Sequence, residues 1–134
     1  MKGIKKVNFR DAHYDESTGV SVATVKCGNI EFIGSACFNP EDAEKGIKPS
    51  KMKGCYIAEL RATKDALKWQ LKEIAKEYEI ANNILKACKQ NKDYDPSAPV
   101  IHTLYAQVKE IKKKMIMLKT GIYDIDTALE KMTR

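Results

Sequence analysis

The first third of the chain alternates apolar and polar residues with the two-residue period of β-strands. Two runs show this period, and turn-forming residues separate them at positions 15–19. The residues in phase are Val7, Phe9 and Asp11 in the first run, and Val20, Val22 and Thr24 in the second. A second turn at 27–29 leads to a third run, whose shared face consists of Ile30, Phe32, Gly34, Ala36 and Phe38. The pattern predicts a meander of three or four antiparallel strands.

The segment 39–54 follows the strands and has the composition of a loop with one short helical turn. Asn39 can cap that turn, and Pro40 suits its first helical position. Gly46 and Pro49 end it soon afterwards. A different pattern begins after this loop.

From Cys55 onward, apolar residues recur at steps of three, four and seven, which is typical of long amphipathic helices. The first stripe is interrupted only by Lys64 and consists of Leu60, Leu67, Leu71, Ile74, Tyr78, Ala81, Leu85 and Cys88. A polar segment at 90–99 contains two prolines and ends this helix, and either Asp95 or Ser97 can cap the next one. The second stripe consists of Ile101, Leu104, Val108, Ile111, Met115, Leu118, Ile122, Ile125, Leu129 and Met132. Two helices of this length, about 45 Å each, should pair antiparallel across a short connection.

The sequence therefore predicts one α+β domain over residues 1–134, with an antiparallel sheet and loop at 1–54 and an antiparallel two-helix hairpin at 55–134. Such helices would extend past a three-stranded sheet, whose strands span about 20 to 30 Å. The succession at 115–117, Met-Ile-Met, also places apolar surface on more than one face of the second helix. We expect a homo-oligomer that buries this surface across a two-fold axis.

Composition places the chain among soluble proteins, since 43% of its residues are hydrophobic and 31% are charged. No apolar run approaches the roughly 18 residues of a membrane span, and we expect no membrane partner. The basic amino terminus is not followed by an apolar region and a cleavage site, so we expect a cytosolic location. The formal charge of +6 is spread along the chain. This favours an anionic ligand of modest size over a long nucleic acid.

The sequence offers no recognisable catalytic centre, metal site or cofactor motif. It lacks GxSxG, Walker, HExxH and GxGxxG patterns, and its four cysteines show no CxxC spacing, so we expect all four to be small core residues. Glu59 lies near the start of the predicted helix that comes after the meander. The metal-binding Glu of the ribonuclease H fold lies on a helix in a similar position. That chemistry needs further carboxylates on later strands, and apart from Asp11 only helical residues could supply them. We expect a binding protein without enzymatic activity, and a nuclease is the weaker alternative.

Arginine is rare in this chain and marks the best candidates for anion binding. The chain contains 21 lysines but only three arginines, which are Arg10, Arg61 and Arg134. The planar guanidinium group of arginine can bind a phosphate through two parallel hydrogen bonds. Arg61 lies near the start of the predicted first helix, where the helix dipole favours an anion. Asn91 and Tyr94 lie in the polar connection between the helices, where an aromatic ring has little core to fill and can stack on a base.

Four short motifs along the chain carry a family resemblance when they are taken together. They are Val7-Asn8-Phe9-Arg10-Asp11-Ala12, Phe32-Ile33-Gly34-Ser35-Ala36, Pro40-Glu41-Asp42, and Gly54-Cys55-Tyr56-Ile57-Ala58-Glu59-Leu60-Arg61-Ala62. In this order they resemble small phage proteins of Gram-positive hosts, the first type of the Thoeris anti-defence sponge family. The resemblance covers nearly the whole chain, with the sheet first and the helical hairpin last.

The resemblance implies a phage protein that acts in the bacterial cytosol by capturing glycocyclic ADP-ribose, the signal of bacterial TIR-domain defence proteins. It implies that the signal is held without cleavage, that dimers assemble further into hexamers, and that some members also hold cyclic di- or trinucleotides at a separate site. Arginines and aromatic residues form the family's pocket. The corresponding candidates in this chain are Arg10 and Arg61 for the phosphates, with Asn91, Tyr94, Tyr105 and Lys109 from the helical hairpin.

Two further classes of function remain open at this point. A nucleic-acid-binding phage accessory protein would show a longer basic track with several exposed aromatic residues, and its affinity would fall steeply with salt. An adaptor that docks a host protein through the helical hairpin would need no small-molecule pocket.

Overall fold

The computed structural model describes residues 4–38, 46 and 50–133 of the chain. It contains the strands β1 (Val7–Asp15), β2 (Val20–Cys27) and β3 (Ile30–Cys37), followed by the helices α1 (Lys51–Lys89) and α2 (Pro99–Thr133). The strands form one antiparallel sheet in the order β1-β2-β3. The predicted α+β architecture, a small antiparallel sheet followed by a long helical hairpin, is confirmed. The short helical turn expected after Asn39 lies outside the described residues.

The chain divides into two compact units, and the division cuts both helices. The first unit comprises Met1–Lys68 and Gly121–Arg134, and the second comprises Trp69–Thr120. The first unit therefore carries the sheet with the beginning of α1 and the end of α2, while the second carries the rest of both helices and their connection. The sequence predicted one domain over residues 1–134, with a sheet part at 1–54 and a hairpin part at 55–134.

Both predicted hairpin turns are present, and each depends on a glycine with positive φ. Gly19 has φ 71° and donates its N–H to the carbonyl of Asp15 at 2.8 Å, and Gly28 has φ 63°. The Asp15 carboxylate accepts hydrogen bonds from the hydroxyl of Ser17 at 2.7 Å and from its N–H at 2.9 Å. These bonds favour the charged carboxylate and lower the pKa of Asp15. The sequence 15–19 thus encodes a turn that its own side chains stabilise.

A bulge in β1 changes which residues share a face of the sheet. Phe9 pairs with Val25 but Asp11 pairs with Thr24, so the register shifts and Arg10 has no partner opposite it. Beyond the bulge, Ala12 joins the face of Phe9 and packs against the core. The expectation that Asp11 continues the face of Val7 and Phe9 was therefore wrong, because the period of two does not anticipate an extra residue.

The strand β2 buries the face opposite to the in-phase residues that the sequence pattern followed. The in-phase residues Val20, Val22 and Thr24 are only half-buried, whereas the residues between and after them are buried: Ser21, Ala23, Val25 and Cys27. On β3, Gly34 and Ala36 are buried on the same side, as the shared face of that strand predicted. The buried face of β2 carries Ser21, which lies against Gly54 of α1.

Helix α1 lies unusually close to the sheet because small residues meet on both sides. A Cβ on Gly34 would lie 2.6 Å from the backbone nitrogen of Ala62 and would overlap the carbonyl oxygen of Ala58. A Cβ on Gly54 would overlap the hydroxyl of Ser21. Small residues recur at every fourth position of α1, so one side of the helix stays flat against β2 and β3: Gly54, Ala58, Ala62 and Ala66.

Helix α1 begins at Lys51, four residues earlier than the change of period at Cys55 suggested. The reason is a cap that the sequence pattern did not reveal. The hydroxyl of Ser50 accepts a hydrogen bond from the N–H of Lys53 at 3.2 Å, which satisfies one of the free donors at the helix start.

The two predicted stripes form the inner faces of the hairpin, since none of their residues is exposed. In the first unit, Lys64 interrupts the α1 stripe because it forms an ion pair with Asp126 of α2. In the second unit, the ammonium of Lys112 on α2 lies 5.7 Å from the centre of the Tyr78 ring on α1. These contacts confirm that the helices run antiparallel with the stripes facing each other.

Several apolar side chains remain on the surface of the single chain. Ile116 and Met117 are each 63% exposed and Met115 is half-buried, so the apolar residues of this segment do occupy more than one face. Cys37 is also exposed, which contradicts the expectation that all four cysteines are core residues. It lies on the side of β3 that does not face α1. Neither helix, over its described residues, has an apolar stretch that could cross a membrane.

Candidate ligand-binding site

Arg61 joins helix α1 to the edge of the sheet. Its Nη1 donates a hydrogen bond of 2.7 Å to the backbone carbonyl of Ser35 on β3, which is an edge strand. The contact satisfies a carbonyl at that edge and fixes the side chain, yet the residue remains exposed. A guanidinium group has five N–H donors, so this bond leaves Nε and Nη2 for a ligand.

Arg10, the second arginine candidate, occupies the bulge of β1 and is exposed. Strand β1 is the other edge of the sheet, and β2 separates it from β3. Adjacent strands lie about 4.8 Å apart, so the backbones of the two edge strands are separated by about 10 Å. Within one chain, Arg10 and the guanidinium of Arg61 therefore belong to opposite edges.

The connection between the helices is a rigid turn built by two acceptor side chains. The Oδ1 atom of Asn91 accepts a hydrogen bond from the N–H of Asp93 at 3.0 Å. The carboxylate of Asp95 accepts bonds from the hydroxyl of Ser97 at 2.7 Å and from its N–H at 3.0 Å, which lowers the pKa of Asp95. Such bonds replace the backbone contacts of a regular helix and hold the turn in one shape.

The start of α2 differs from the predicted capping by Asp95 or Ser97. The carbonyl of Ala98 accepts the first helical hydrogen bonds, from the N–H of Ile101 at 3.0 Å and of His102 at 3.2 Å. Pro99 is the first helical residue, where its missing N–H costs nothing. Ala98 thus occupies the cap position, because the side chains of Asp95 and Ser97 are already engaged with each other in the preceding turn.

Three polar side chains interact next to this turn: Lys89 at the end of α1, Tyr94 in the turn, and Tyr105 on α2. The ammonium of Lys89 lies 5.2 Å from the centre of the Tyr105 ring. Its hydrogen bond to Tyr105 raises the pKa of Lys89, and the same bond lowers the pKa of Tyr105. Partial desolvation and a hydrogen bond to Tyr105 raise the pKa of Tyr94.

The structure brings together some of the candidate residues and separates others. Tyr94 and Tyr105 meet, and Asn91 shapes the turn beside them. Lys109 is exposed and lies one helical turn beyond Tyr105, on the same side of α2. These four residues belong to the second unit, whereas the two arginines belong to the first.

Lys89 is the residue that the sequence did not single out. Nothing in its local spacing distinguishes it from the other lysines of α1. The signal is the register of the hairpin, which sets the end of α1 opposite the second turn of α2 and so places Lys89 over Tyr105. That register can be inferred from the two stripes once the antiparallel pairing is accepted.

A shallow surface depression of about 570 Å³ lies beside the end of α2 in the first unit. Its lining includes the carboxylates of Asp126 and Glu130. Carboxylates repel an anion, so this depression does not suit phosphate as the basic candidate residues do. Within the described ranges, no three His, Cys, Asp or Glu side chains gather as a metal site would require.

Comparison of the chain with family models, with curated proteins and with solved structures found no match.

Proposed function

We propose that the protein binds and sequesters cyclic nucleotide immune signals, foremost the isomers of glycocyclic ADP-ribose, without cleaving them. By holding such a signal in the host cytosol it blocks the activation of a Thoeris-type effector. The observation that supports this proposal most directly is the guanidinium of Arg61, which is exposed but already held in place by the carbonyl of Ser35.

A guanidinium that is oriented before binding is suited to phosphate recognition. Ordering a long side chain costs about 0.5–1.5 kcal/mol of binding free energy, and the bond to Ser35 meets part of that cost during folding. The remaining donors can form two parallel hydrogen bonds with phosphate oxygens. Arg61 and Ser35 belong to two of the motifs that carry the family resemblance, and these motif segments contact each other.

The cluster beside the turn, which belongs to the second unit, offers by itself another kind of contact that nucleotides make. Tyr94 and Tyr105 provide aromatic faces for a base, and Lys89 and Lys109 provide charge for its phosphates. None of the candidate residues is a carboxylate, a histidine or a cysteine, the usual general acids, bases and nucleophiles of phosphodiester chemistry. Their chemistry supports retention of a ligand rather than its hydrolysis.

A homo-oligomer, a dimer that assembles further into a hexamer, is part of the proposal. Ile116 and Met117 support it, because two neighbouring large apolar side chains that are both 63% exposed are more typical of an interface than of a free surface. Light scattering should give a mass of at least two chains, and a mass near 15.1 kDa at micromolar concentration would contradict this part.

The deciding experiment is calorimetric titration against a panel of cyclic nucleotides, followed by release of the ligand by heating and chromatography. We expect binding of glycocyclic ADP-ribose and recovery of the intact compound. We expect Arg61→Ala to weaken binding at least about thirtyfold, since truncating one partner of a desolvated charge pair costs about 2–5 kcal/mol. Lys72→Ala removes an equal charge from an exposed position on α1 and should bind like the parent.

Two outcomes would overturn the proposal. Recovery of ADP-ribose or a linear nucleotide, at a rate proportional to protein concentration, would show an enzyme. Absence of heat with every cyclic nucleotide, from a protein that is folded and oligomeric, would remove this class of ligand altogether.

A further inference from the structure

One side of α2 in the second unit is a continuous basic surface, which we call the basic face. It consists of Tyr105, Lys109, Lys112, Lys113 and Lys119, all of them exposed. At 3.6 residues per turn these five residues fall within an arc of about 120° and extend about 21 Å along the helix. The even spread of charge in the sequence concealed this surface, because the lysines come together only when the segment is helical.

The charges of the basic face are largely unneutralised. Among the residues that the structure describes, no carboxylate pairs with Lys109, Lys112 or Lys119, and Lys113 forms only an exposed pair of 3.6 Å with Glu110. Between Pro99 and Thr120, Glu110 is the single acidic residue beside five lysines. A row of like charges along one helix destabilises the helix modestly, so its presence needs a reason other than folding.

One exposed aromatic residue, Tyr105, lies at the end of the basic face, and the half-buried Tyr78 of α1 lies beside it. Tyr105 is 44% exposed and lies under the ammonium of Lys89, so Lys89 extends the charge across to α1. Lys112 is held over the ring of Tyr78 at 5.7 Å. Lysine is a point charge that tolerates many phosphate geometries, and an exposed tyrosine can stack on any base. The combination matches a flexible polyanion that carries bases better than it matches a rigid one.

We propose that the basic face binds single-stranded nucleic acid without sequence preference, as an activity additional to the capture of a cyclic nucleotide, with which it shares Tyr105 and Lys109. The lysines neutralise consecutive phosphates of the strand, and Tyr105 stacks on a base at the end near the turn. Charge complementarity along about 21 Å selects a polyanion, and the exposed aromatic ring selects one with unpaired bases.

The test measures the fluorescence anisotropy of a labelled oligothymidylate of about twelve nucleotides, with a duplex of equal length and a polyglutamate peptide as competitors. Four neutralised phosphates give a salt slope of about −2.8, so affinity should fall roughly fiftyfold when salt rises fourfold, from about 50 to about 200 mM. Dissociation constants of about 1–100 µM are expected at the higher salt.

The variant Lys112→Gln with Lys119→Gln removes two charges from the basic face and should halve the salt slope, with at least a tenfold loss of affinity at about 50 mM salt. Lys72→Gln with Lys76→Gln is the matched control, because these exposed lysines lie about 120° and 160° around α1 from Tyr78. The control should bind the strand like the parent. Both double variants should still titrate cyclic nucleotides like the parent, so this test and that of the proposed function can fail separately.

Three results would overturn the inference. The first is no change in anisotropy at about 100 µM protein and low salt, where nonspecific binding is tightest. The second is an equal loss of affinity in the two double variants, and the third is competition by the duplex or by polyglutamate that is as effective as competition by the unlabelled strand. The first would show that no strand binds, the second that only net charge acts, and the third that the bases contribute nothing.

Discussion

Gly34→Ala tests the close approach of α1 to the sheet, on which the position of Arg61 depends. The new Cβ would lie 2.6 Å from the backbone nitrogen of Ala62 and would overlap the carbonyl oxygen of Ala58. Non-bonded heavy atoms are most stable at about 3.5–4.0 Å, so α1 must withdraw from β3 by about 1 Å. Both obstructing atoms are backbone atoms, and no side-chain rotation can relieve the clash.

The expected cost follows from two opposing effects. Overpacking in a core costs about 1–3 kcal/mol, and the upper end applies because a whole helix must shift. Replacing glycine by alanine also restricts the unfolded chain, which returns about 0.4–1 kcal/mol. Gly34 is not among the glycines with positive φ, so backbone strain adds nothing. We expect a net loss of about 2–2.6 kcal/mol in the free energy of unfolding.

Urea unfolding followed by circular dichroism, at one protein concentration for all variants, measures this loss. Gly121→Ala is the matched control in the same unit, since its Cβ would meet only the flexible Cδ1 of Leu67, at 3.2 Å. Alanine is the better helix former by up to about 1 kcal/mol, so Gly121→Ala should be neutral or stabilising. If Gly34→Ala is as stable as the parent, α1 does not approach β3 as described and the account of this interface fails.

Three further outcomes are expected. Ser50→Ala should destabilise the protein by about 1 kcal/mol through loss of the α1 cap, whereas Ser50→Asp should not. An equal loss of unfolding free energy in the two variants would show that Ser50 does not cap α1. Arg61→Lys should keep the fold but bind glycocyclic ADP-ribose at least tenfold more weakly, because lysine lacks the planar fork; unchanged calorimetric affinity would exclude a bidentate contact. In an ultraviolet titration Tyr105 should ionise at a lower pH than Tyr94, because the pKa of Tyr105 is lowered from 10.0 and the pKa of Tyr94 is raised. Tyr105→Phe should abolish the ionisation step at the lower pH. Because the folded state favours ionised Tyr105, the stabilisation from this group is complete above about pH 10 and is lost as pH falls through the lowered pKa.

The elements of the fold could be predicted because each is encoded locally. Turn residues at 15–19 and 27–29 separate the strands, and the stripes of both helices proved to be their inner faces. Which face of β2 is buried could not be predicted from Val20 and Val22 alone, because Val25 and Cys27 lie on the opposite face with Ser21 and Ala23. The distance between helix and sheet decides the question, and it depends on residues far apart in the chain, such as Gly34 and Ala62.

The candidate site shows the same limit. The rarity of arginine identified Arg61 as a residue of interest, but its partner is a backbone carbonyl, which no side-chain pattern can reveal. Likewise Tyr94 and Tyr105 were chosen for their chemistry, while their contact with each other and with Lys89 is a product of the hairpin register. Residue type indicated what these groups can bind, and only tertiary contacts determine which of them act together.

The distribution of cations bears on the two binding activities that we propose. Both described arginines lie in the first unit, and Arg61 is fixed there by a hydrogen bond, as recognition of one small anion in one orientation requires. The unit Trp69–Thr120 contains lysine and no arginine, and its cations are mostly on exposed, flexible side chains. Flexible point charges discriminate poorly between anions but adapt to a chain of phosphates. If a fixed guanidinium group and flexible lysine side chains serve different ligands, Lys112→Arg should strengthen strand binding only slightly. Arg61→Lys should weaken cyclic nucleotide binding strongly.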